Sequence, residues 1–165
     1  MSQSLSKIAN MSYPEPGSLF PFVHNRSRHV AVTWNDVTII WGGLMVVGND
    51  DPRAIYCHRD GKWFTITTGG DVPIARDSGC AAVIDDTLYV MCGWCNDGEP
   101  KSNIYALELD LNSTPWNWTK LTPSGTPPFK CGKLSSWVHK GKFYGFGGVC
   151  YVRVIDPVTL SSSNS

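Results

Sequence analysis

The chain has 165 residues, of which 42% are hydrophobic and 17% charged, and its 14 basic residues balance 14 acidic ones. This length accommodates one modest domain, and the balanced charge, without a basic tract, argues against nucleic acid and anionic membranes as partners. Sixteen Gly, eleven Pro and seven Trp indicate many turns and large packing anchors, which is typical of an all-β protein.

Residues 1–22 are predicted to form a flexible arm, because they contain Ser, Asn and the turn-forming segment Pro14-Glu15-Pro16-Gly17. The first twelve residues lack an apolar run of signal-peptide length, and no later apolar run approaches the roughly 20 residues of a membrane span. We therefore expect a cytoplasmic or nuclear protein without membrane partners. In such a compartment its six Cys are expected to be free thiols.

An internal repeat organises the rest of the chain. Residues 26–43, 76–93 and 131–148 align without gaps, and their closing glycines, Gly43, Gly93 and Gly148, are 50 and then 55 residues apart. Each copy predicts a β-hairpin, with tight turns at Asp85-Asp86 in the second copy and Lys140-Gly141 in the third. The Gly pair that ends a copy allows positive φ where the chain leaves the hairpin.

Two further strands are predicted after each of the first two hairpins. They span 54–58 and 61–66 in the first unit, and 103–109 and 116–121 in the second; loops at 69–73 and 124–128 follow. The second strand of each pair carries a Trp, Trp63 or Trp118, that suits packing between units. We therefore divide the chain into a first unit at 23–75, a second at 76–128, a partial third at 129–158 and a disordered tail at 159–165.

A hairpin that ends in a Gly doublet, followed by Tyr56 or Tyr105 and then a Trp, resembles the kelch repeat. The resemblance implies an all-β fold of about three kelch-type β-propeller blades, each a four-stranded antiparallel sheet, in an incomplete propeller. The structural positions of the repeat are Gly42, Gly43, Trp63, Gly93, Trp118, Gly147 and Gly148. The segments RSRHVAV, GKWFTITTGGDVP and KLSSWVHKGKFYGFGG are similar to the N-terminal blades of kelch domain-containing substrate receptors of cullin-RING ubiquitin ligases.

The pattern breaks in two places. Cys92 replaces the first glycine of the second doublet, and the third copy has a predicted strand at 151–155 but no Trp strand after it. A propeller closes with about four to eight blades, so this run leaves sheet faces and edges uncovered. Three outcomes stay open: a longer protein supplies the missing blades, copies of the chain associate, or the chain is a non-functional fragment.

The resemblance also implies a binding site, because basic and hydroxyl side chains around the central pocket of such receptors are expected to grip the C-terminus of a peptide. Residues at the matching blade ends are Arg26, Ser27, Arg28, Arg53, Arg76, Asp77, Ser78 and Lys133. Charge-assisted hydrogen bonds from the cationic members, Arg26, Arg28, Arg53 and Lys133, suit a peptide carboxylate. The alternative interpretation is that they are solvated loop charges or buttresses between blades.

The function predicted from these features is a non-catalytic scaffold that binds a protein or peptide, without a cofactor, metal or catalytic residues. Cys92 and Cys95 form a C-x-x-C spacing, but neither the βαβ context of a redox motif nor a second pair of zinc ligands accompanies it. A propeller-based oxidase or isomerase is the alternative. An oxidase of that kind would need His and Tyr ligands converging on a metal, whereas the four His occupy non-equivalent repeat positions: His24, His29, His58 and His139.

A ligand cage is one interpretation of the tryptophans. Five occupy positions that favour packing between blades: Trp34, Trp41, Trp63, Trp118 and Trp137. Trp94 and Trp116 fall outside the repeat and are predicted to lie at the surface.

Overall fold

A computed structural model describes residues 26–45, 51–126 and 128–149 of the chain. All regular structure within these ranges is β, and it comprises fifteen strands. No helix in the described ranges is long and apolar enough to span a membrane. The predicted all-β class is therefore confirmed, whereas the predicted arm at 1–22 and tail at 159–165 lie outside the described residues.

The strands fall into three successive groups that match the three copies of the repeat. The first group is β1 (Arg26–Ser27), β2 (Val30–Trp34), β3 (Val37–Trp41), β4 (Leu44–Met45), β5 (Ile55–Arg59) and β6 (Lys62–Ile66). The second is β7 (Thr68–Gly70), β8 (Arg76–Asp77), β9 (Cys80–Ile84), β10 (Thr87–Met91), β11 (Trp94–Cys95), β12 (Ile104–Glu108) and β13 (Trp116–Leu121). The third is β14 (Ser135–His139) and β15 (Lys142–Phe146).

The first blade is a four-stranded antiparallel sheet in the order β2-β3-β5-β6. Its inner hairpin pairs Val30 with Trp41 and Trp34 with Val37 across a tight turn. Asn35, which opens that turn, has a φ of 51°, a conformation that Asn tolerates better than most residues. Alternate residues of β3 are fully buried, as expected for a β-rich run that packs one face against the core.

The second blade has the same four strands, in the order β9-β10-β12-β13, and one additional strand. β7 pairs in parallel with β13, with Trp116 opposite Thr68 and Trp118 opposite Gly70. The sequence predicted a loop from Gly69 onward. The chain instead forms the edge strand β7 here, because the segment that leaves the first blade runs beside β13, the outer strand of the second blade.

The third hairpin, β14 with β15, forms a two-stranded sheet in the described part of the chain. Its predicted third strand at 151–155 lies outside that part. On the face that points away from the second blade, the rings of Trp137 and Tyr144 stack with centroids 5.5 Å apart. Trp137 is 48% exposed and Phe146, on the same face of β15, is 58% exposed.

The core consists of two clusters, each between adjacent blades. The first joins residues of blades one and two, including Trp41, Ile55, Leu88 and Trp118. The second joins blades two and three and contains Cys80, Ala82, Met91, Cys92, Ile104, Cys131 and Phe143. The second blade therefore buries both faces, as the middle unit of a stack should.

The tryptophans pack largely as the repeat predicts. The ring centroid of Trp118 lies 5.6 Å from that of Trp41 at the first interface. Trp63 differs from the prediction, because its ring lies 4.9 Å from that of His58 in the same blade, tilted by 50°. Trp137 is 48% exposed. The surface prediction for Trp116 is wrong: this residue is 2% exposed and meets Trp34 edge-on at 5.9 Å. Trp94 is half-buried, because its indole packs against the backbone of Gly132 at the second interface.

Candidate functional site

The Gly doublets bring neighbouring blades into backbone contact at one end of the sheets. Gly43 N donates to Arg76 O across the first interface at 2.9 Å, and Gly93 N donates to Cys131 O across the second at 2.7 Å. A Cβ built on Gly42 would lie 2.5 Å from Arg76 O. The doublet is glycine in the first blade because the next blade's backbone leaves no room for a side chain there.

Three residues at equivalent repeat positions form a hydrogen-bonded row at this end, which we call the end row: Arg28, Ser78 and Lys133. Ser78 N donates to Arg28 O at 2.8 Å, and Lys133 N donates to Ser78 O at 2.7 Å. All three have φ between 56° and 61°. The row thus links one loop from each blade and sets the three loops side by side.

Two side chains of the end row, those of Arg28 and Ser78, are connected through Asp77. The Arg28 guanidinium lies 3.6 Å from the Asp77 carboxylate, and Ser78 Oγ donates to Asp77 Oδ1 at 2.6 Å. Lys133 is exposed, and within the described ranges its ammonium has no ion-pair partner. Four of the eight predicted site residues therefore lie together: Arg28, Asp77, Ser78 and Lys133.

Arg26 and Arg76 play a different part, since both guanidinium groups point into the fold. Arg26 Nη1 donates to Gly42 O at 3.1 Å, and Arg26 Cζ lies 4.5 Å from the centroid of the Tyr56 ring. Arg76 Nη1 makes the equivalent bond to Cys92 O at 3.0 Å. These contacts lie within single blades, so they buttress each blade internally rather than joining neighbouring blades. The predicted part of both arginines in binding stays a prediction.

Arg53 and Ser27 complete the predicted set. Arg53 lies in the loop before β5 and holds the Asp51 carboxylate through Nε and Nη2, each at 3.0 Å. These hydrogen bonds lower the pKa of Asp51 and raise the pKa of Arg53. Ser27 is exposed and pairs with Leu44 across the short β1–β4 ladder.

Sequence reasoning missed the residues that position these arginines. Tyr56 and Tyr105 carry the guanidinium groups of Arg26 and Arg76 on their rings, at 4.5 Å and 5.3 Å. The signal was present, because both tyrosines occupy the same repeat position, as do both arginines. Asp51, which pairs with Arg53, has no equivalent in the repeat and could not have been found this way.

Two thiols meet at the second interface, and they are not the pair that the C-x-x-C spacing suggests. Cys92 Sγ lies 3.6 Å from Cys131 Sγ. The hydrogen bond between them raises the pKa of Cys92 and lowers the pKa of Cys131. Cys95, the second Cys of the spacing, lies on β11, opposite Arg76. No group of three or more candidate metal ligands occurs within the described ranges.

A groove of about 420 Å³ lies at the other end of the inner strands, between the first two blades. Asp36, Asp86 and Asp110 line it, together with Arg59 and Trp34. Arg59 pairs with Asp36 at 2.8 Å, and Trp34 Nε1 donates to Asp86 Oδ1 at 2.7 Å. The ion pair lies within the first blade, and the hydrogen bond joins the hairpin turns of the first two blades. These polar groups of the groove therefore serve the fold.

Comparison with known proteins places the repeat in a family. Residues 28–160 match the KLHDC2/KLHL20/DRC7 Kelch-repeats domain. Kelch domain-containing protein 2 from Homo sapiens is 35% identical over 136 residues, which cover 77% of this chain and 33% of that protein. Kelch domain-containing protein 1 from Homo sapiens is 29% identical over 140 residues, covering 79% and 34%.

A third human relative, Kelch domain-containing protein 3, is 28% identical over 129 residues, covering 74% of this chain and 32% of that protein. The chain thus spans about a third of the length of the curated relatives it matches. The family model matches residues 28–160, which is well over half of the chain. These residues include the three copies of the repeat and their Gly doublets. The chain belongs to the KLHDC2/KLHL20/DRC7 family of kelch-repeat domains.

Proposed function

We propose that this chain is a kelch-repeat scaffold that binds the C-terminal carboxylate of a peptide or protein partner, in the cytoplasm or nucleus, for substrate recognition by a cullin-RING ubiquitin ligase. The single observation that carries the proposal is the end row, in which loops from three blades are joined by hydrogen bonds of 2.8 Å and 2.7 Å. Loops held side by side on a rigid scaffold are a common form of binding surface.

The charges of the end row suit a carboxylate. Arg28 and Lys133 are cationic and exposed, whereas Ser78 is 6% exposed and its hydroxyl donates to Asp77 Oδ1. Arg28 is held at 3.6 Å from Asp77, a separation that a competing carboxylate could replace with shorter charge-assisted hydrogen bonds. Lys133 needs no such exchange. A ligand carboxylate would therefore meet Lys133 first and then compete with Asp77 for Arg28.

Fluorescence anisotropy with the full chain tests this function. The probe is a library of labelled decapeptides with a free C-terminal carboxylate, compared with the same library amidated at its C-terminus. We expect the amidated library to bind at least about tenfold more weakly, because a hydrogen bond to a charged group contributes roughly 1.5–3 kcal/mol. Equal binding of both libraries would contradict the proposal.

Asp77→Asn provides a second readout with the opposite sign. It removes the carboxylate that competes for Arg28 but keeps an oxygen that can accept from Ser78 Oγ. We expect tighter binding of the free-acid library. As a control, Arg59→Ala removes a cation at the other end of the inner strands and should leave peptide affinity unchanged.

The ligase step needs its own assay. A peptide selected from the library is fused to a reporter protein, and ubiquitin transfer to the reporter is measured with a cullin-RING ligase in the presence and absence of the chain. Transfer that depends on the chain and fails with the amidated peptide supports the receptor function. Binding without transfer would restrict the function to a scaffold.

A further inference from the structure

The two interfaces between blades differ at one pair of facing positions. At the first interface these positions are Gly42 and Arg76, and a Cβ on Gly42 would lie 2.5 Å from Arg76 O. At the second interface the equivalent positions are Cys92 and Cys131. Both members of the pair have changed, and to the same residue type. The first interface can therefore be compared directly with the second. Among the described blades, only the second interface has a thiol at both of these positions.

The geometry brings these two thiols together. Gly93 N donates to Cys131 O at 2.7 Å, so the backbones of the two blades are adjacent at this point. Cys92 Sγ lies 3.6 Å from Cys131 Sγ. A disulfide bond is about 2.05 Å long, so the sulfur atoms need to approach by roughly 1.5 Å. Cys92 also has a φ of 61°, a conformation that the repeat otherwise gives to glycine.

The surroundings of the pair assign different parts to the two sulfurs. The hydrogen bond between the two thiols lowers the pKa of Cys131 and raises that of Cys92, so Cys131 becomes the thiolate first. Cys80, in the same cluster, has its pKa raised to about 12 by burial. Cys92 Sγ lies 3.8 Å from the carbonyl of Phe129, whose side chain is 42% exposed. Cys92 and Cys131 are themselves 0% and 4% exposed, so a peroxide reaches the two sulfurs only when the second and third blades separate locally.

We propose that Cys92 and Cys131 are a redox modification site, which a peroxide converts into a disulfide between the second and third blades. The Cys131 thiolate attacks one peroxide oxygen, and with the proton from its thiol this yields Cys131 sulfenic acid and one water. Cys92 sulfur then attacks the sulfenic sulfur, forming the S–S bond and releasing the hydroxyl as a second water with the Cys92 proton. Two thiols lose two electrons in total, and hydrogen peroxide accepts them.

Peptide mapping of the full chain after hydrogen peroxide treatment tests the site. Trypsin places Cys80, Cys92 and Cys95 in the peptide 77–101 and Cys131 in the peptide 131–133. We expect a peroxide-dependent link between these two peptides that dithiothreitol reverses. Cys92→Gly, which restores the residue of the first doublet, should abolish the link, whereas Cys80→Ala and Cys95→Ala should retain it.

Thermal unfolding gives an independent readout, because a link between blades should raise the Tm of the oxidised chain by ~5 °C or more over the reduced chain. The same peroxide treatment should leave the Tm of Cys92→Gly unchanged. Three results would overturn the proposal: a link within 77–101 between Cys92 and Cys95, a link that persists in Cys92→Gly, or oxidation of Cys131 without any link.

Discussion

The Arg76 guanidinium lies 5.3 Å above the Tyr105 ring and donates to the carbonyl of Cys92 at 3.0 Å. The same arrangement occurs one blade earlier, where Arg26 lies above Tyr56 and donates to Gly42. The same three-group contact thus occurs in both blades: an arginine, a tyrosine ring and the carbonyl of the first doublet position. It joins the segment before the inner hairpin of a blade to the segment after it. In the second blade this unit is almost fully buried, since Arg76 is 4% exposed.

Arg76→Ala should therefore destabilise the chain strongly. The substitution leaves the Cys92 carbonyl without its charged donor and removes the cation above Tyr105. We expect a loss of about 2–4 kcal/mol in the free energy of unfolding, measured with urea. Arg28→Ala is the control, because its ion pair is half exposed and should cost less than about 1 kcal/mol. Equal losses would contradict the assignment of Arg76 as a buttress.

Trp116 and Trp118 provide a matched test of a buried hydrogen bond. Both lie on β13 and are 2% exposed. Trp116 Nε1 donates to Asp110 O at 2.6 Å, whereas Trp118 Nε1 has no partner in the described structure. Trp→Phe removes the same atoms at both sites, so Trp116→Phe should cost about 1 kcal/mol more. Chemical denaturation of the two variants measures the difference. A larger loss in Trp118→Phe would be inconsistent with this account.

Alkaline pH should reveal the burial of Cys57. Desolvation raises the pKa of this thiol from 9.0 to about 12 in the folded chain. The unfolded chain therefore loses the proton at a lower pH than the folded chain. The stabilising effect of the buried thiol is complete below pH 9 and declines as the pH rises from 9 towards 12, at about 1.4 kcal/mol per pH unit.

The measurement compares the wild-type chain with Cys57→Ala by urea unfolding between pH 8 and 10.5. Other groups titrate similarly in both proteins, so the difference between the two free energies isolates Cys57. We expect the advantage of the wild-type chain to shrink above pH 9. A difference that is constant across this range would show that Cys57 is not protected from ionisation by burial.

Among the described residues, one face of the third blade is uncovered; this free face carries Trp137, Tyr144 and Phe146. We expect it to drive self-association of the chain. Phe146, which is 58% exposed, occupies the position of Trp41 and Met91, which are 2% and 1% exposed at the two interfaces between blades. The same surface of the other blades is thus covered by a neighbouring blade. We expect a second copy of the chain to cover it, with a mass that rises with concentration in light scattering.

Phe146→Lys should shift the chain towards the monomer, because it places a charge in this contact. Ile74→Lys is the control, since Ile74 is 62% exposed but lies in the loop before β8 rather than on the free face. A wild-type chain that stays monomeric at all concentrations would contradict self-association through this face.

Much of the fold follows from the repeat, because a turn between two β-rich runs fixes both hairpin and register. The exceptions have physical reasons. β7 has the sequence Thr-Gly-Gly, which carries no strand signal and pairs only because β13 runs beside it. Trp116 lies two residues before Trp118 on the same strand. Period-two alternation puts both on one face, a signal that outweighs the repeat position.

The candidate site was predicted less completely. Equivalent loop positions identified Arg28, Ser78 and Lys133 as neighbours, since blades stack in register. The sequence could not show that Arg28 is exposed while Arg26 packs on a tyrosine ring. The exposure of each arginine depends on the fold, because a tyrosine of the sheet lies beside only one of them. The partner of Cys92 was also missed, because the sequence analysis weighed Cys92 only against Cys95, whereas the contact comes from Cys131 in the next blade.

Two lysines of the third blade test the central claim, that the end row binds a carboxylate, most directly. Lys133 and Lys140 are both exposed and have φ of 61° and 49°, so glycine should relieve backbone strain of about 1 kcal/mol at each site. Lys133 lies in the end row, whereas Lys140 lies in the turn at the other end of the hairpin.

The measurement is the affinity of the free-acid peptide library for Lys133→Gly and for Lys140→Gly, with the Tm of each variant recorded alongside. We predict that Lys133→Gly weakens binding by about tenfold without lowering the Tm, while Lys140→Gly binds as the wild-type chain does. Equal affinities of the two variants for the free-acid library would contradict carboxylate recognition by the end row.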